Sequence, residues 1–413
     1  MIRAGAGISG ARGSREAAEG AVGDAMDMAG IGRADLVFLF VTSEHLEDWP
    51  RIARAARERS GGARVVGCTG YGVLTAEAEI EGETGAAALA IGGEGFAAAP
   101  FLAGGLGRDP LECGREAGRQ TREGLGAAFR GEGPPAAVIL PDSYNLRAGE
   151  LFRGLHEELG EDAIIVGGGA AETGRLGRTF QFLDEEMKTD AVAGAVFPWS
   201  PTRFIGITQA YQPDGEPMAV TRAEENIIFE ISGRPAYEVF AEAAGEALMQ
   251  NPRAAAVHVF VGLPGDPDAV VLDHGNYIVR PVVGLDPGKG LIALPEKISV
   301  GQAITFTRRD GPRARADLET MLSKAKERFA TENLADAADF ALYFNCSGRG
   351  ASLYGESGVD SAAIRREAPG LPVAGFFTGS EIAPIGTEDH LHQFSGVLMI
   401  LGGDHPPMSQ EDI

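Results

Sequence analysis

A thiol, a hydroxyl and a guanidinium crowd together at Cys346-Ser347-Gly348-Arg349, and a carboxylate follows at Glu381 in a second glycine-containing turn. A thiol beside a guanidinium can ionise early and act as a nucleophile or redox centre. The same thiol packed in a core is a small inert hydrophobe, and in a cleft it lines a pocket. Arg349 stands between two glycines, which leaves its fork room for a carboxylate or phosphate. The alternative is an internal salt bridge, with Glu381 as partner. Glu381 precedes an Ile-Ala-Pro turn, where it could face a ligand amine or cap backbone donors. His390 and His392 are two apart, so on a strand both face one side. They could supply two metal ligands or one axial ligand to haem iron, although no third ligand is near; a hydrogen-bonded or solvated histidine is the ordinary alternative.

These groups need strands to position them. Phe340–Phe344 is a continuous apolar run that ends in the cysteine turn, and Val373-Ala374-Gly375-Phe376-Phe377 ends in Thr378-Gly379-Ser380-Glu381. Two earlier runs end the same way, at Gly67-Cys68-Thr69-Gly70 and at Gly167-Gly168-Gly169. Ligands collect where the strands of open α/β sheets release the chain into such turns. The expected ligand-facing set is therefore Cys68, Thr69, Gly168, Gly169, Cys346, Ser347, Arg349, Thr378, Glu381 and His392, with no catalytic set and no metal set.

A unit of helix, apolar strand, helix and apolar strand recurs. Its strands are Leu36–Val41 and Arg64–Gly70, then Ala136–Leu140 and Ala163–Gly169, then Phe340–Phe344 and Val373–Phe377; each copy closes on a further apolar segment. Runs this continuous fit strands buried on both faces, and the parallels argue for duplication. Between the copies, Phe204–Phe306 is β-rich and broken by Pro213-Asp214-Gly215, Pro264-Gly265-Asp266 and Asp286-Pro287-Gly288. A helix is expected near Pro235–Met249 and a strand at Ala254–Val261. The fold class is α/β, with two pseudo-repeated halves of buried sheets flanked by helices and a β-rich segment in the middle. The expected domains are 30–220 and 221–402, followed by a flexible tail, 403–413.

Composition narrows the function. A net charge of −23 repels phosphate backbones, so neither nucleic acid nor an anionic membrane surface is an expected partner. Three widely spaced cysteines make neither a disulfide framework nor a four-cysteine zinc site and fit a reducing cytoplasm. No signal peptide or membrane-length apolar run is present, so no membrane insertion is expected. Catalytic templates fail: there is no Gly-x-Ser-x-Gly elbow and no His-Glu-x-x-His, and Gly284–Lys289 is too short for a P-loop.

The order and spacing of motifs resemble the FIST family, a family of sensory domains, over roughly residues 30 to 402. The N-terminal match rests on Gly67-Cys68-Thr69-Gly70-Tyr71-Gly72 and the linking match on Val220-Thr221 and Gly233-Arg234-Pro235-Ala236. The C-terminal match rests on Val279-Arg280-Pro281, Gly301-Gln302, Arg309-Asp310 with Asp317-Leu318, Cys346 with Gly348-Arg349-Gly350, Gly375-Phe376 and Glu381-Ile382-Ala383-Pro384. Thr378-Gly379-Ser380 departs from the family, which often has an aromatic there. The resemblance implies a cytoplasmic sensor that binds a small molecule, such as an amino acid or related metabolite, and signals to a separate protein. No cofactor is expected; a haem-based nitric-oxide sensor is the alternative, and a cysteine-dependent enzyme using Cys346, Arg349 and Glu381 is a second.

Overall fold

The apolar runs become strands because β-branched and aromatic residues dominate them and both their faces are covered. The computed structural model describes residues 2–130, 133–198, 202–266, 269–331 and 340–402, so the expected tail at 403–413 lies outside the described residues. The first copy runs β1 (Ile2–Ser9), α1 (Ser14–Ala29), β2 (Leu36–Thr42), α2 (Trp49–Arg59), β3 (Arg64–Gly70), β4 (Gly72–Thr75), β5 (Glu79–Glu81) and β6 (Ala86–Gly93). The second runs β7 (Ala99–Gly104), α3 (Pro110–Leu125), β8 (Ala136–Pro141), α4 (Ala148–Leu159), β9 (Ile164–Gly169), β10 (Gln181–Leu183), β11 (Glu186–Lys188) and β12 (Ala191–Phe197).

The third copy opens with β13 (Thr202–Gln209) and is then interrupted by the β-rich segment. That segment holds β14 (Tyr211–Pro213), β15 (Met218–Glu224), β16 (Ile227–Ile231), β17 (Arg234–Pro235), α5 (Ala236–Ala244), α6 (Glu246–Met249), α7 (Pro252–His258), β18 (Val259–Pro264), β19 (Tyr277–Arg280), β20 (Gly284–Asp286), β21 (Leu291–Ala293) and β22 (Ala303–Arg309). The copy resumes with α8 (Gly311–Thr331), β23 (Phe340–Cys346), α9 (Ala351–Tyr354), α10 (Val359–Glu367), β24 (Val373–Thr378), β25 (Ser380–Ile385), β26 (Glu388–His392) and β27 (Ser395–Leu401).

Two compact units result. One takes Met1–Ile207, Glu319–Leu391 and Ser395–Ile413; the other takes Thr208–Leu318 with His392–Phe394. All three copies therefore pack in one unit, and the cut near residue 220 read from turn chemistry falls inside the β-rich unit. That unit is built on one nine-stranded sheet. Its one departure from expectation is at 254–258, which is the end of α7 and not a strand. The Asn251 side chain accepts from the Ala254 N–H, Pro252 occupies the first turn, and an alanine run follows, all of which favour helix.

The three-copy unit has three six-stranded sheets, ordered β1-β6-β2-β3-β10-β11, β7-β12-β8-β9-β25-β26 and β13-β27-β23-β24-β4-β5. In each, two central parallel strands are buried along their length, apart from Arg64 at the start of β3. The last two strands of every sheet are a hairpin lent by another copy: the second lends to the first, the third to the second, and the first to the third. The register is the same each time, with Phe182 opposite Gly67, Ile382 opposite Gly167 and Leu74 opposite Gly375. A Cβ at any of these glycines would fall on the carbonyl of Leu39, Ile139 or Tyr343 in the adjacent central strand. Helices α1 and α2 cover one face of the first sheet over Val37, Leu39 and Val41. On the second sheet, Leu151, Phe152 and Leu155 of α4 pack with Ala137, Ile139 and Ile165.

Candidate functional site

The cyclic exchange of hairpins brings three strand ends to one junction. The Ala171 N–H donates to the Thr69 carbonyl (3.0 Å), the Gly379 N–H to the Gly169 carbonyl (2.9 Å) and the Tyr71 N–H to the Phe377 carbonyl (3.0 Å). Donor and acceptor occupy equivalent positions in the three copies, so a turn from each copy is tied to the next. The Ser347 N–H joins the third copy's two turns by donating to the Thr378 carbonyl (2.9 Å). The glycine turns predicted from sequence are therefore neighbours in space.

Around this junction the predicted residues fall into distinct sets. Glu381 is wholly buried. It accepts hydrogen bonds from the Thr378 hydroxyl, from the Ser395 hydroxyl (2.6 Å) and N–H (3.1 Å), and from the Cys346 thiol. Burial outweighs these four donors and pushes its carboxyl up to about 7. Gly168 faces the same cluster, since a Cβ there would press on Thr378 and the Phe344 ring. Cys68 is fully buried, and burial alone raises its thiol well above the usual range, which makes it a packing residue. Thr69 uses its hydroxyl to accept from the Phe180 N–H (3.2 Å).

Arg349 is spoken for, and not by Glu381. Its guanidinium is fully buried against Asp360 (3.3 Å) and the Tyr354 hydroxyl (2.6 Å), while the Tyr343 hydroxyl also donates to Asp360 (2.9 Å). The sequence paired Arg349 with the nearest acid in the motif. The fold instead turns the arginine towards α10, where Asp360 is 1% exposed and would otherwise be an uncompensated buried charge. The lent hairpin closes this corner. Glu79 accepts from the N–H groups of Gly358 and Ser361 at the start of α10 (3.0 and 2.8 Å), and Glu81 from that of Ala351 (3.0 Å). Burial, then the Asp360 charge, pushes Glu79 up to about 7.

Sequence reasoning missed two buried hydroxyls at this junction. Ser143 Oγ and Ser380 Oγ are both buried, without a hydrogen-bond partner among the described residues. They converge on Gly169: a Cβ there would fall on Ser143 Oγ and lie 2.7 Å from Ser380 Oγ. Gly379 borders the same spot, its Cβ position 2.6 Å from Ser143 Oγ. Next to them Asp142, 1% exposed, accepts from the Thr179 hydroxyl (2.6 Å) and the Asn145 amide (2.7 Å). One signal was available. Aligned on Gly67, Gly167 and Gly375, the three copies place Ser43, Ser143 and Ser347 at the same strand end.

The comparisons with known proteins agree with this organisation. The FIST N domain matches residues 35–234 and the FIST C domain matches residues 236–384. This chain belongs to the FIST family. FIST domains are sensory, signal-transduction domains. Uncharacterized proteins of Mycobacterium tuberculosis are similar along the whole length: one of strain CDC 1551 is 28% identical over 98% of this chain and 100% of its own, and one of strain H37Rv is 28% identical over 97% and 99%. Among solved structures, a cyanuric acid hydrolase from A. caulinodans covers 47% of this chain and 70% of its own at 12% identity and a TM-score of 0.26, a likeness too slight to say anything of activity.

Within this FIST protein, nothing among the described residues supports the haem alternative. His392 is fully buried and groups with the β-rich unit. Two cavities, about 450 Å³ beside Val257, Phe260 and Val283 and about 630 Å³ beside Arg15, Arg51 and Arg54, are lined by neither His390 nor His392. Among the described residues no group of three or more His, Cys, Asp or Glu is placed to hold a metal, and no helix is long and apolar enough to cross a membrane.

Proposed function

We propose that this protein is a cytoplasmic sensor that binds a small polar metabolite, of the amino-acid or carboxylic-acid class, where the three strand-end turns meet, and passes its state to a separate signalling protein. The observation that carries the reading is the pair of buried hydroxyls, Ser143 and Ser380, left without partners over the bare backbone of Gly169. Buried hydroxyls are ordinarily satisfied, and two converging on one glycine offer hydrogen bonds that a ligand oxygen or amine would complete. Arg349 supplies no anchor in this reading. Recognition comes from hydroxyls and backbone groups. Ligand bound here bears directly on the three turn-to-turn hydrogen bonds, which gives it differential contact with any second arrangement of the copies.

A thermal-shift screen of amino acids and small carboxylic acids tests the reading. A ligand at ~100 times its dissociation constant adds roughly 2.7 kcal/mol, which for a body of this size raises the melting temperature by about two degrees. Gly169→Ala should abolish the shift by displacing Ser143, and Ser380→Ala should weaken binding about tenfold through one lost hydrogen bond. A shift that survives both substitutions would place the ligand elsewhere and end this assignment.

A further inference from the structure

At the end of the third sheet, the carboxamide of Asn345 is wholly buried, and among the described residues neither its Nδ2 nor its Oδ1 has a hydrogen-bond partner. Burying a complete amide unpaired is unfavourable, so such a group marks a place where a partner, a water or a small molecule, is expected from outside the chain. The register defines its surroundings. Across the sheet the row reads Gly72 on β4, Phe377 on β24, Asn345 on β23 and Gly396 on β27. The Phe377 ring leans over Gly72, its Cδ2 2.9 Å from where a Cβ would be, and Gly396 presents no side chain beside the amide. The equivalent central positions in the other two sheets are Val41 and Pro141, which need no partner. Only the third copy places a polar side chain there, flanked by an aromatic ring and a glycine. The following turn, Ser347 and Gly348, is half-buried.

We propose that the chain carries a second small-molecule site here, in which Asn345 pairs with a neutral donor–acceptor edge, a primary carboxamide on a planar ring that packs against Phe377. A carboxamide matches Asn345 with one donor and one acceptor each way, whereas a carboxylate leaves the amide donor of a ligand pair absent and adds a charge that neutral Asn345 does not offset. The site uses none of Ser143, Gly169 or Ser380, so its failure leaves the reading at those residues untouched.

Nicotinamide is the probe, with nicotinate as its acid counterpart and the full chain as the protein. In protein labelled with ¹⁵N at asparagine, the side-chain NH₂ pair of Asn345, assigned by its loss in Asn345→Leu, should move on adding nicotinamide. Calorimetry should show nicotinamide binding at least tenfold tighter than nicotinate, and at least tenfold weakened by Asn345→Leu and by Phe377→Leu. Without ligand, Asn345→Leu should melt at the same or a higher temperature, because it removes an unpaired buried amide. An unmoved Asn345 pair overturns the proposal, as does equal binding of the acid. So does an Asn345→Leu chain that melts earlier or fails to fold, since that would show the amide paired within the free protein.

Discussion

Glu381 is held by four donors and yet has its carboxyl pushed up to about 7, because complete burial dominates. The folded pKa lies above the unfolded one, near 4.5. As pH rises between these values the unfolded chain has lost a proton that the folded chain still holds, so stability falls through this window and levels off above about 7. The decline attributable to this group is up to about 3 kcal/mol. Glu381→Gln keeps the shape and removes the proton, so urea denaturation across pH 5 to 8 should show a flatter profile than the parent; an unchanged slope would mean the carboxyl titrates normally. Arg349 gives the opposite kind of test. Its charge is matched by Asp360 with both groups almost wholly buried. Arg349→Met should cost about 3–5 kcal/mol without any ligand present, and Arg349→Met with Asp360→Leu should recover most of it. Recovery failing in the double variant would mean the arginine's stacking near Tyr354, and not its charge, is what matters.

At the level of elements, the lent hairpins hold the copies together. The β4–β5 hairpin pairs with β24 and also delivers Glu79 to the unsatisfied N–H groups at the start of α10. Helix starts need such acceptors, and a carboxylate there answers both the hydrogen bonds and the dipole. Glu79→Ala should therefore destabilise by about 1–2 kcal/mol, with hydrogen exchange accelerating first at Gly358 and Ser361. Equal exchange in parent and variant at those two amides would show that water caps α10 just as well. The glycines at 67, 167 and 375 have a local cause: at each, the carbonyl of the adjacent central strand (Leu39, Ile139 or Tyr343) leaves no room for a Cβ.

For the whole molecule, the circuit of exchanges means no copy completes its own sheet. Residues 1–207 alone keep the first sheet but leave β9 without β25, and β4 without β24. A fragment of that span is expected to lack a cooperative thermal transition and to be cut rapidly by protease, because exposed edges and an unpaired hairpin do not pack. A sharp transition in the fragment would show that the first two copies need nothing from the third. The parent three-copy unit should unfold as one, since each sheet depends on another copy.

The amino-acid sequence by itself determined the elements: period and apolar continuity set buried strands at Leu36–Val41, Ala136–Leu140 and Phe340–Phe344, which the structure extends to Thr42, Pro141 and Cys346, and their repetition announced the copies. It also named the glycine turns that meet at the junction. It did not show which side chains are left unanswered there. Ser143, Ser380 and Asn345 look like ordinary turn and strand residues until their neighbours are known, because an unsatisfied hydroxyl or amide is a property of what surrounds it. The partner of Arg349 was equally out of reach. Glu381 and Asp360 are both plausible by spacing, and only the path of β24 and α10 places one beside the guanidinium and buries the other among Thr378, Ser395 and Cys346. Local sequence carries local preference, whereas partnership between residues brought together by exchanged hairpins is decided by the closed arrangement of three sheets, which no single segment encodes.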